Sequence, residues 1–84
     1  MDQVYVLISN LLETMLQDTY YVFKKSIETD NSYQFVLVLE KQAYDKYVNK
    51  KINVVTTIVD AFNVKESISA KKVKILVEVF DEFG

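Results

Sequence analysis

The side chains able to do chemistry in this chain are those of Asp, Glu, Lys, Tyr, Ser and Thr. Cys and His are absent, and all ten basic residues are lysines. Lack of His removes the usual general base near neutral pH and the commonest metal ligand. Lack of Cys removes disulfides, thiolate zinc sites and thiol nucleophiles. Lack of Arg removes the planar bidentate clamp for phosphate or carboxylate.

Two groups of carboxylates remain: Glu28 with Asp30, and Glu78 with Asp81 and Glu82. Paired carboxylates hold hard divalent cations or share a proton. Neither group has the spacing of a calcium loop, and both read as a solvated turn and a solvated chain end. The lysines fall in pairs at 24–25, 50–51 and 71–72, with Lys74 following. Lys24 and Lys74, with Tyr20 nearby, would make a weak phosphate-facing patch if their strands were neighbours; strand lysines also serve to block edge-to-edge aggregation. Five of the tyrosines, Tyr20, Tyr21, Tyr33, Tyr44 and Tyr47, suit either an interface or the rim of a core. There is no glycine-rich phosphate loop, nucleophile elbow or metal-ligand spacing. The expectation is a protein that is not an enzyme, with no catalytic, cofactor-binding or metal residues and no cofactor.

The elements that must position these residues follow from periodicity. Val4, Ile8, Leu11 and Met15 mark a helix over 2–18, widened by Tyr5, Leu12 and Leu16, with Asp2 at its N-terminus. Residues 20–28 and 33–40 are β-rich runs joined by the polar cluster 29–32, which predicts an antiparallel hairpin. Over 41–64, Tyr44, Val48, Ile52, Val55, Val59 and Phe62 form a helical stripe, yet 52–59 is almost wholly β-branched. A helix is expected there, with a fourth strand at 52–59 as the alternative. Residues 66–70 connect to a last strand over 72–80, whose Val73, Ile75, Val77 and Val79 share a face. A loose tail over 81–84 follows. The fold class is α+β: one small domain over 1–84, ordered α-β-β-α-β, with a three-stranded, mainly antiparallel sheet and two helices.

Strand parity carries the sharpest inference. In the second strand, Tyr33, Phe35, Leu37 and Leu39 share one face while Val36 and Val38 lie on the other. A strand apolar on both faces is central and covered on both sides. In the first strand, Val22 lies opposite Tyr21, Phe23 and Ile27. Two helices in so short a chain usually cover one sheet face, which leaves Val22, Val36, Val38, Leu76 and Phe80 as the candidate interface; the alternative is cover from within the chain, with one helix on each face or the tail over 81–84 folded across it. Symmetric self-association is the commonest way to bury such a patch, and small domains gain stability from it.

Composition narrows the function classes. Half of the 84 residues are hydrophobic and 13% are aromatic, so a packed core is expected rather than disorder. The net charge of −2 argues against a nucleic-acid binder. Asp2 stands where a signal peptide would be positive, and the longest apolar runs, 4–8 and 35–39, fall far short of the roughly 20 residues of a membrane span. A cytoplasmic protein that does not bind membranes is expected. Abundant Lys, Asn, Ile and Tyr beside no Arg fits an AT-rich coding sequence, such as that of a phage or mobile element. The leading expectation is an assembly protein that self-associates through an apolar sheet face. The first alternative is a small acidic inhibitor or immunity-type protein, with Glu28, Asp30, Asp81 and Glu82 facing one host or toxin protein. The second is a lysine-based nucleic-acid-binding protein.

Overall fold

The computed structural model describes residues 3–17, 19–51, 53–64 and 71–80. The expectations placed on Asp2, Ile52, the connection 66–70 and the tail 81–84, including Asp81 and Glu82, lie outside the described residues.

The first helix, α1, spans Gln3–Met15. Its buried side is Val4, Ile8 and Leu12, continued by Leu16 one turn on. The helix thus sits rotated from the stripe expected: Leu12 takes the inward position and Leu11 faces outward with Leu7. A constant spacing of four keeps the buried residues on one row.

Strands β1 (Tyr21–Glu28) and β2 (Ser32–Glu40) form the expected hairpin. Thr29 organises its turn. Its amide donates to the Ser32 carbonyl at 2.8 Å, and its hydroxyl accepts from the amides of Asn31 and Ser32 at 3.2 and 3.0 Å. Such side-chain-to-backbone bonds replace the glycine that a tight hairpin commonly uses.

After β2 the chain enters a short helix, α2 (Lys41–Ala43), which widens into a π turn over Tyr44–Val48. The Asn49 amide bonds the Tyr44 carbonyl at 2.8 Å across that turn. The helix ends there, and α3 (Val54–Val64) begins afresh. The expected single helix over 41–64 is therefore two pieces, and the fourth-strand alternative at 52–59 is not realised. Asn53 is the reason. Its Oδ1 accepts from the Thr56 amide at 3.0 Å, while the Thr56 hydroxyl accepts from the Asn53 amide at 2.9 Å. This reciprocal cap satisfies two donors at the helix start. It offsets the weak helix propensity of the β-branched residues that follow.

The final strand, β3 (Lys72–Phe80), lies beside β2 and runs parallel to it. The sheet order is β1-β2-β3, so β2 is central as expected. The sheet is mixed rather than mainly antiparallel. A parallel neighbour needs a long crossover, and the helices between β2 and β3 supply one. The fold is a small α+β structure with a three-stranded mixed sheet.

The core lies between the helices and one face of this sheet. It joins Ile8, Leu12 and Leu16 of the first helical segment to Phe23, Phe35, Leu37, Leu39 and Val73 of the sheet and to Val55, Ile58 and Phe62 of α3. Four aromatic rings run through it. Tyr5 stacks on Phe23 at 5.3 Å, Phe23 meets Phe35 at 5.3 Å, and Phe35 meets Tyr33 at 6.0 Å. Contacts of this kind add about 0.5–1.5 kcal/mol each beyond buried area.

Candidate functional site

The sheet has two faces, and the described helices use one. Odd-numbered β2 residues Phe35, Leu37 and Leu39 point into the core; even-numbered Gln34, Val36, Val38 and Glu40 point away from it. The register extends this second face across all three strands. Val22 sits beside Val38, Val36 beside Leu76, and Glu40 beside Phe80. The five residues expected as an interface are therefore brought together on one surface, which no described helix covers. Val22 is 42% exposed and Leu76 45%, while Val38 and Phe80 are half-buried. Val36 is only 9% exposed, because it sits on the middle strand between Lys24 and Leu76.

One residue of this face was not anticipated. Parity in β1 placed Ile27 with Phe23 on the core side, but a bulge between Lys25 and Ile27 shifts the register by one. Ile27 pairs with Gln34, on the open face, and is 52% exposed. A bulge adds one residue to one strand and so reverses the facing of all that follows. No sequence signal marks it, since Lys25, Ser26 and Ile27 are ordinary strand residues. On β3, Val73 is buried and Ile75 and Val77 pack against the core, but Val79 remains 41% exposed.

Charges frame the apolar centre unevenly. Toward the hairpin turn the open face carries Lys74, beside Gln34, and Lys72, beside Ser32; Lys24 lies at mid-strand, level with Val36, and toward the other end the face carries Glu40 and Glu78. Among the described residues, Lys24, Lys74, Glu40 and Glu78 make no ion pair. Lys24 and Lys74 do share a face, as considered from the sequence, but β2 separates their strands. Tyr20 lies outside β1 and is strongly exposed.

The carboxylates near the hairpin have local partners. Glu28 accepts from Lys71 Nζ at 2.6 Å and from Lys25 Nζ at 3.1 Å. The hydrogen bond from Lys71, then that from Lys25, holds the Glu28 carboxyl below its ordinary range. Lys71 also lies over the Tyr33 ring at 4.8 Å. Burial, helped by the nearby Glu13 and Tyr5, raises the Tyr21 phenol above its ordinary value.

Both outer strands are pinned by a polar side chain from a covering helix, a feature that sequence reading missed. On β1, the Tyr5 hydroxyl donates to the Phe23 carbonyl at 3.0 Å. On β3, the Val73 amide donates to Asn63 Oδ1 at 2.8 Å and Asn63 Nδ2 donates to the Val73 carbonyl at 3.1 Å. Pairing of outer-strand backbone groups in this way hinders another chain from pairing there.

A recess of about 600 Å³ opens at the start of α3, lined by Tyr44, Lys50, Lys51 and Val77 among others. Its Asn53 and Thr56 are engaged in the helix cap. Among the described residues no three acidic, His or Cys side chains come together to hold a metal ion, and no helix is long and apolar enough to cross a membrane. Comparison of the chain with family models, curated proteins and solved structures found no match.

Proposed function

We propose that this is a non-enzymatic assembly protein that self-associates through the open face of its sheet. The observation that carries the reading is the one-sided placement of the helices. The core cluster joins α1 and α3 to a single sheet face and leaves Val22, Val36, Val38, Leu76 and Phe80 contiguous on the other, with Ile27 added by the bulge. Apolar surface grouped in this way marks an interaction site more often than apolar residues scattered singly.

The alternative of an acidic inhibitor draws less support. Glu28, one of the carboxylates it would use, is already bound by two lysines. The nucleic-acid alternative meets a face whose lysines give way to Glu40 and Glu78 toward one end, rather than a continuous basic track.

The test is the native mass of the untagged protein across a dilution series, with Val38→Asp as the perturbing variant. The wild type should form a defined oligomer. The variant should be monomeric with its helical circular dichroism retained, because Val38 lies on the open face and outside the core cluster that joins the helices to the sheet. A wild type that stays monomeric at high concentration overturns the reading.

A further inference from the structure

The geometry points to a second copy of this chain as the occupant of the open face, stacked with its strands antiparallel about a two-fold axis that lies across the strands. This inference rests on the self-association proposed above and adds the arrangement to it.

The argument is charge complementarity. The face is polarised along the strands, with Lys72 and Lys74 toward one end, Glu40 and Glu78 toward the other, and Lys24 midway, level with Val36. Among the described residues, the four charges nearest the apolar centre, Lys24, Lys74, Glu40 and Glu78, have no ion-pair partner within the chain. Two sheets packed face to face keep their strands roughly aligned, so two symmetric arrangements are available. With the two-fold axis along the strands, like ends superpose: lysines gather over lysines, and Glu40, on the central strand, meets its own image. With the axis across the strands, the lysine end of each copy lies over the glutamate end of the other. Lys74 and Glu78 are both on β3, which then stacks on β3 of the second copy, so Lys72 and Lys74 face the other copy's glutamate end while Lys24, level with Val36, lies over Val22 of the second copy. Val36 and Val38 meet at the centre. Like-charge juxtaposition is strongly penalised at interfaces, so the second arrangement is favoured.

The size of the face sets the strength. Strands of nine residues at about 3.3 Å, three abreast at about 4.8 Å, give a surface of about 30 by 14 Å. Two such faces bury on the order of 1,000 Å² in total, at the small end of specific interfaces. The dimer should therefore dissociate on dilution.

The test uses Lys74→Glu and Glu78→Lys, both at exposed positions, with sedimentation or light scattering as the readout. Each variant alone places like charges at both ends of the interface and should dimerise at least about tenfold more weakly than the wild type. An equimolar mixture of the two should recover dimer to within about threefold of the wild type, because each reversed charge then meets an opposite one. The wild-type dimer should also weaken as salt is raised. A wild-type monomer overturns the self-association reading itself. A wild-type dimer that salt strengthens, or variants whose mixture is no better than either alone, leaves self-association standing and overturns this arrangement. Since the salt measurement needs no variant, it decides the matter even where a substitution impairs folding.

Discussion

Asn63→Ala is the substitution whose cost the structure specifies most fully. Asn63, near the end of α3, makes two hydrogen bonds to the backbone of Val73, at 2.8 and 3.1 Å. Val73 is 3% exposed, on an outer strand with no strand beyond it among the described residues. Truncation leaves one amide and one carbonyl without their partner. An unsatisfied buried group costs about 1–3 kcal/mol. Asn63 itself is only partly buried, so water reaches some of the gap, and the expected loss is about 2–3 kcal/mol. A domain of this size has about 4–13 kcal/mol in all. The melting temperature should fall by about 10–20 °C. Urea and thermal unfolding followed by circular dichroism, at one fixed protein concentration, measure it. Asn63→Asp keeps an acceptor for the Val73 amide but sets a carboxylate against its carbonyl, so it should also be destabilised at neutral pH. A loss for Asn63→Ala below about 0.5 kcal/mol, the range of ordinary surface substitutions, would refute the claim that the two bonds hold β3 to α3.

Two further outcomes follow from local geometry. Asn53→Ala removes the cap that starts α3 and should cost about 1 kcal/mol in urea unfolding, with Asn53→Ser recovering most of it; an unchanged midpoint would mean that packing alone starts the helix. The Glu28 carboxyl, held down chiefly by Lys71, should titrate by NMR at a pH below that of a free glutamate, and Lys71→Met should move it back up. Because the folded-state value is depressed, the stabilisation from this pairing is full above the ordinary glutamate value and is lost as pH falls through the folded value. A Glu28 titration indifferent to Lys71→Met would refute the assignment.

How much of the fold was legible in the sequence depends on the range of the interaction. The hairpin could be read because a polar cluster between two β-rich runs is a local signal, and the turn bonds of Thr29 are local too. The middle segment could be read only in part. The apolar stripe reported a helix correctly from residue 54, but the break before it depends on a cap between Asn53 and Thr56 that hydrophobic spacing does not encode. The β-branched run gave the opposite indication, and helix prevailed because Val55 and Phe62 of the stripe, with Ile58 rather than Val59 between them, bury in the core.

What the amino-acid order by itself determined is the two-faced character of β2. Side chains alternate with a period of two, so Phe35, Leu37 and Leu39 had to oppose Val36 and Val38 whatever the rest of the chain did. Residue types likewise determined which chemistries are missing. The tertiary structure alone decided which face the helices would cover, for both were apolar enough to accept them. It also made β3 parallel through the helical crossover, reversed Ile27 through the bulge, and joined Asn63 to a strand ten residues later. Each of these turns on how separate elements meet. Periodicity within one element sets its own faces and says nothing of which neighbour will lie against them.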